Sequence, residues 1–230
     1  MVFHRINFFD IRKIEYFMDE YYDLNPYFSP KHLFILSSMY LVEVAFDQNS
    51  CGLRICMEKW KWIEYPLFKK EISYPKYLDL CYTYDINDFT NHKKFKKYHK
   101  NKKGILKKRD YELKILKKEE FPNLVLFLQD YYKSINKLNE TSYFLMLSKL
   151  KLIFEHLYEL NIDAVGVYKE DELKGFYVGF HYKDNYVIEA MLCLESVEAV
   201  ILDYAVMVAG KNNEKIVYFE KLEEVLKCLR

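Results

Sequence analysis

Three side chains have the chemistry and the setting to move a proton. Glu189 sits in the apolar run Tyr186 to Leu194, among Val187, Ile188 and Met191. Partial burial there would raise a carboxylate's pKa and suit it to act as a general base. The same alternation also fits a strand carboxylate facing outward. His181 alternates with Phe180 and Tyr182 at a strand end, where an imidazole can shuttle a proton near neutrality or simply meet solvent. Tyr204 is a third candidate, as a proton donor, although it is one of 22 tyrosines.

A second feature is charge. The chain carries a formal net charge of +1, yet Lys93 to Arg109 holds nine Lys and one Arg with no acid. Such a run is either a solvated helix or linker, or a site for the phosphates of a nucleic acid, a lipid or a nucleotide. Lys93, Lys94, Lys96, Lys97, Lys100, Lys102 and Lys103 are the candidates, with Phe95 and Tyr98 interleaved to stack on bases. A tRNA or another polyanion is the partner these residues would suit.

Other chemistries lack their residues. There is no G-x-S-x-G, H-E-x-x-H, G-x-x-x-x-G-K-[ST] or G-x-G-x-x-G. Five scattered cysteines form no C-x-x-C or paired Cys/His spacing, so no metal is expected, and they read as buried small hydrophobes in a reducing, cytoplasmic compartment. With 51% apolar and 30% charged residues in 230, the chain has ample surface to bury against the entropy of folding. Asp203 interrupts the longest apolar stretch, around Ala199 to Gly210, and no membrane span is expected. The first ten residues carry His4, Arg5 and Asp10 and read as no secretion signal.

The elements that must position these groups follow from periodicity and turn residues. Asp10 to Leu24 reads as a helix capped by Asp10, and Ser29-Pro30 opens another. Leu41 to Phe46 and Leu53 to Met57 read as a hairpin. Tyr111 to Leu116 alternates as a strand; Glu119 to Ser134 and Thr141 to Leu160 read as helices. Three strands joined by tight polar turns come next, Asp163 to Tyr168, Lys174 to Tyr182 and Tyr186 to Leu194. Val197 to Ala209 is an apolar helix closed by Gly210, Lys215 to Phe219 a buried strand, and Lys221 to Leu229 a last helix. A mixed α/β (α+β) sheet covered by helices lets each apolar stripe find a partner.

That succession is similar to the one in GNAT acyltransferases. The segments Tyr82 to Phe89 (YTYDINDF), Lys93 to Lys103 (KKFKKYHKNKK), Tyr111 to Leu116 (YELKIL) and Glu119 to Leu128 (EEFPNLVLFL) resemble the phosphatidylglycerol lysyltransferase C-terminal-like family, a doubled GNAT fold. Ala164 to Tyr168 with Glu172 to Phe180 looks like that family's central hairpin, and Asn25 to Phe28 through Tyr65 to Phe68 looks like its degenerate first half. The resemblance implies a truncated GNAT-like half over 1–85, a basic helical connector over 86–110 and a GNAT-like domain over 111–230. It also implies an acyl or aminoacyl transferase with acyl-CoA or aminoacyl-tRNA as donor, and with Glu189 beside the acceptor. The alternative is a binding protein that uses Lys93 to Arg109.

By the same resemblance Leu194, Ser196 and Val197 occupy the turn that would cradle a donor's diphosphate. That turn has no Gly, and Glu195 and Glu198 would repel the phosphates. Family members also carry a further strand after the last helix, so one sheet edge is expected to be open or filled by a partner, as in a homodimer.

Overall fold

The computed structural model describes residues 2–21, 26, 29–47, 51–57, 61–66, 82–90, 98–100, 111–138, 140–194 and 197–219. The chain divides into two compact units, Met1–Leu78 with Phe144–Ile153, and Asp79–Tyr143 with Phe154–Arg230.

Unit 1 contains β1 (His4–Arg5), α1 (Asp10–Tyr21), α2 (Pro30–Leu36), β2 (Leu41–Phe46), β3 (Cys51–Met57) and β4 (Lys61–Pro66). Its four strands pair in chain order, all antiparallel. Asp10, expected to cap α1, instead lies in its first turn: its carboxylate accepts the Asn7 N–H at 3.0 Å, and Asn7 Oδ1 accepts the Phe9 N–H at 2.9 Å. The cap therefore falls three residues earlier, with Asp10 reaching back in the manner of a capping box. Ser29 caps α2 as expected, accepting the His32 N–H at 3.3 Å ahead of Pro30.

Unit 2 is a six-stranded mixed sheet flanked by helices. In chain order come β5 (Tyr82–Tyr84), α3 (Ile86–Thr90), β6 (Glu112–Ile115), a 3-10 turn at Lys118–Glu120, α4 (Phe121–Ser134), α5 (Thr141–Glu155), whose stretch Phe144–Ile153 belongs to unit 1, β7 (Asp163–Lys169), β8 (Glu172–Tyr182), β9 (Asn185–Cys193), α6 (Glu198–Lys211) and β10 (Lys215–Tyr218). Strand order is β5-β10-β9-β8-β7-β6, antiparallel throughout except for the parallel pair β9 and β10, which α6 connects. From β6 to β10 this is the succession that the GNAT resemblance implies. Alternate residues of each strand face opposite helices. Phe176 meets Phe127 of α4 edge-on at 5.4 Å, while Tyr177 joins the buried cluster that includes Ile201, Leu202 and Ala205 of α6.

The β7–β8 hairpin closes without glycine. Glu170 and Asp171 both take positive φ, 50° and 63°, between β7 and β8. A turn left-handed at both central positions matches the twist of the paired strands.

Three expectations are corrected. Gly210 does not close α6, which runs on to Lys211. The left-handed residue is Asn213, with φ 56°; the Asn213 N–H donates to the Gly210 carbonyl at 3.3 Å and the Glu214 N–H to Ala209 at 3.0 Å. Those two bonds make a Schellman cap, in which Asn takes the place that Gly usually fills. The sheet edge beside β10 is filled by the chain's own β5, with Ile216 opposite Tyr84 and Tyr218 opposite Tyr82. Tyr98, offered above as a stacking ring, is 2% exposed and buried between Phe89 and α6, where its hydroxyl donates to Asp203 at 2.8 Å. It is a core residue, out of reach of a base. Of the lysine candidates only Lys100 is described, and it is exposed; Lys93, Lys94, Lys96, Lys97, Lys102 and Lys103 lie outside the described residues, as does the expected last helix.

Candidate functional site

Two places in unit 2 gather chemistry, one on β9 and one in a cavity lined by residues of β6, β7, β8 and α6. The first is the middle of that strand. Val178 pairs with Ala190 but Gly179 pairs with Ile188, so Glu189 is an extra residue with no partner position on β8. An extra residue of this kind bends the strand and re-aims side chains. On the other side, the β9–β10 ladder runs from Asn185 opposite Lys215 to Ile188 opposite Tyr218 and ends there. From Glu189 to Cys193, then, β9 has no β10 partner among the described residues. Glu189 itself is 3% exposed, far more buried than a half-buried strand carboxylate.

Gly179 makes this geometry possible. A Cβ there would stand 2.8 Å from the Val187 carbonyl oxygen and 3.0 Å from the Tyr186 ring. Real Cβ atoms do not approach that closely, so β8 can hug β9 at the irregularity only without a side chain.

Beyond Cys193 comes the turn that would have to seat a diphosphate. The Leu194 N–H donates to the Lys174 carbonyl at 2.9 Å and is therefore not available to a phosphate. Val197 is buried and precedes α6, its carbonyl accepting the Val200 N–H at 2.9 Å. Ser196 lies outside the described residues. Glu198, only 9% exposed, places a carboxylate in the first turn of α6, where the helix dipole favours negative charge. Burial first, and then the Glu198 charge, push the Cys193 thiol well up, which leaves it inert. The residues thus fit one part of an acyl-CoA and not another. An extended, amide-bearing arm suits the stretch of β9 that has no β10 partner among the described residues, and a diphosphate does not suit a helix start already occupied by Glu198.

The second place is a cavity of about 440 Å³ at the opposite end of β9. His181 and Tyr204, both singled out from sequence, line it together; Glu189 is not among its lining residues. His181 Nδ1 lies 2.7 Å from Glu214 Oε2, and Glu214 is 6% exposed. The Schellman cap that ends α6 delivers Glu214 to this position. On the other side of the ring, His181 Nε2 stands 3.8 Å from Asp163 Oδ2. The Tyr186 hydroxyl lies 3.0 Å from Asp163 Oδ2 and 3.1 Å from the Tyr177 hydroxyl. Burial above all, with Tyr177 and Asp163 adding to it, holds the Tyr186 phenol protonated far above its ordinary range.

Asp163, Glu214, Tyr177 and Tyr186 were not legible as site residues. The one local signal was Asn212-Asn213 after an apolar helix, a left-handed stop that fixes where Glu214 goes.

No protein-family model and no curated protein matches the sequence. Among solved structures, a conserved protein of unknown function from Bacteroides thetaiotaomicron is similar at a TM-score of 0.72 and 12% identity, over 94% of this chain and 88% of that one. The C-terminal domain of a putative lysylphosphatidylglycerol synthetase from Agrobacterium fabrum matches at a TM-score of 0.46 and 12% identity, over 80% of this chain and 72% of that one. The PaiA N-acetyltransferase from Thermoplasma acidophilum, in complex with coenzyme A, matches at a TM-score of 0.36 and 16% identity, over 44% and 72%. The likeness to the Bacteroides protein shows a shared fold.

Proposed function

We propose that unit 2 transfers an acyl or aminoacyl group to an amine or hydroxyl acceptor, as the GNAT resemblance implies. One observation carries this reading: the extra residue Glu189 coincides with the end of β9–β10 pairing at Ile188. Among the described residues, a strand edge without a β10 partner then lies beside a buried carboxylate. The edge would hold a donor's extended arm through main-chain hydrogen bonds. Glu189 would take the proton that the acceptor's nitrogen or oxygen loses as it bonds to the acyl carbon, and the donor's leaving group departs with the electron pair of the broken bond.

The donor is one whose negative charge is not seated on α6, because Glu198 opposes it there. An aminoacyl-tRNA is supported by the lysine excess between 93 and 109. An acyl-CoA is supported by that edge alone.

The test is calorimetric titration of the full chain with acetyl-CoA and, separately, with aminoacylated tRNA, followed by the same titrations and transfer assays on Glu189→Gln. One donor should bind, with Glu189→Gln slowing transfer by roughly 10²-fold or more while affinity stays within about threefold. No binding by either donor, or undiminished transfer by Glu189→Gln, overturns the reading.

A further inference from the structure

The cavity around His181 asks for a ligand of its own, because its polar groups converge and are held by partners behind them. A carboxylate only accepts hydrogen bonds, so the contact between Glu214 and His181 Nδ1 at 2.7 Å puts a proton on Nδ1. In the neutral ring Nε2 is then a bare acceptor on the cavity side. Next to it Asp163 offers a second acceptor, with Tyr186 holding Oδ2 at 3.0 Å and leaving Oδ1 for a ligand. The 3.8 Å between Nε2 and Asp163 Oδ2 is too long for a direct hydrogen bond, even from a protonated ring. A ligand donor placed between the two can reach both.

The Asp163 carboxylate, with Nε2 of a neutral His181 beside it, would select a group with several donors and a positive charge. An ammonium fits; a carboxylate or phosphate at that spot would face Asp163 and the lone pair of Nε2. Much of the remaining wall is apolar or aromatic, with Ile115, Leu116, Leu157, Ile162, Tyr158 and Tyr204, beside the polar Asn212, which suits a largely apolar body. Lys117 and Lys211 also line the cavity and are exposed, so its solvent side is positive. A bare amine would be repelled on the way in, whereas an amine with an anionic group at its other end matches both ends.

We propose that this cavity binds a small zwitterion, its protonated primary amine between Asp163 and His181 and its anionic group toward Lys117 and Lys211. The site lies at the N-terminal end of β9, away from the stretch Glu189 to Cys193, and does not rest on the transferase reading.

The minimal probe is 6-aminohexanoate, titrated into the full chain by calorimetry and followed by the His181 imidazole resonances in NMR. Hexanoate and hexylamine, each lacking one end, are the controls. Saturable binding of the zwitterion is expected, with both controls at least about tenfold weaker and the His181 resonances shifting with occupancy. Asp163→Asn, which keeps the contact to Tyr186, should weaken binding about tenfold, and the pair Lys117→Gln with Lys211→Gln about threefold. Circular dichroism melts check that each variant is folded. Hexanoate binding as well as the zwitterion, no saturable binding by folded protein, or an unchanged affinity in folded Asp163→Asn would each overturn the proposal.

Discussion

Replacing Gly179 with alanine tests whether the irregularity in β9 is a built feature. The new methyl would meet the Val187 carbonyl oxygen at 2.8 Å and the Tyr186 ring at 3.0 and 3.1 Å. Neither can step aside cheaply. The carbonyl belongs to the β8–β9 ladder, and the Tyr186 hydroxyl is held by Asp163 and Tyr177 in a buried cluster. Inserting one methylene-sized group into such a place costs about 1–3 kcal/mol. At the upper end of that range, because one obstacle is main chain, roughly 2–3 kcal/mol would lower Tm by about 4–12 °C in a protein of this size. Urea denaturation of wild type and Gly179→Ala, read by circular dichroism and tyrosine fluorescence, gives the difference directly. The same variant should bind the donor of the proposed transfer less well, since β8 and β9 must part where Glu189 sits. Gly175→Ala is the internal control, since its Cβ would meet only side-chain tips, Val197 Cγ2 at 2.8 Å, Cys193 Sγ at 2.9 Å and Ile201 Cδ1 at 3.1 Å. A Gly179→Ala chain that melts within about 0.5 kcal/mol of wild type, or that costs less than Gly175→Ala, would refute the reasoning.

Two further outcomes follow from local geometry. Gly210→Ala should stabilise the chain by about 0.5–1 kcal/mol in the same denaturation assay, because residue 210 is helical and the nearest obstacle to a Cβ is Ile86 Cδ1 at 4.0 Å. Destabilisation would mean that α6 ends there after all. Tyr98 is held protonated by burial, then by its hydrogen bond to Asp203, so its folded pKa lies above the unfolded value. The stability it contributes is complete below the unfolded tyrosine pKa of about 10 and is lost as pH rises past it. Urea midpoints measured from pH 8 to 11 should therefore fall, and fall less steeply in Tyr98→Phe, which also loses about 1–3 kcal/mol at pH 8 with the bond to the carboxylate. An identical pH slope in the variant would argue against the buried hydrogen bond.

What the sequence announced and what it concealed divide along a physical line. The meander β7 to β9 was legible because polar pairs such as Glu170-Asp171 and Lys183-Asp184 interrupt apolar runs, and a turn is a local decision. The stop of α6 was misplaced by three residues because Gly210 is the commoner left-handed residue, whereas Asn213 has the hydrogen bonds that make the cap. Glu189 could be named from its apolar neighbours, but its status as the extra residue exists only in the register between two strands. The pairing of His181 with Glu214 spans 33 residues and is made by the parallel crossover through α6, which no window of sequence contains.

Tyr98 is the sharpest instance. In a lysine-rich run an aromatic ring looks like a base-stacking platform, because composition assigns the whole segment to the surface. Yet its ring is large enough that burying it is worth about 2–3 kcal/mol, more than solvating its neighbours would lose if they can turn outward. Asp203, 105 residues along the chain on α6, supplies the acceptor that lets the hydroxyl go in with it. Tyr98 thus packs against Phe89 and α6 in the unit that carries Glu189 and His181, and any polyanion that the lysines bind must do so without its ring.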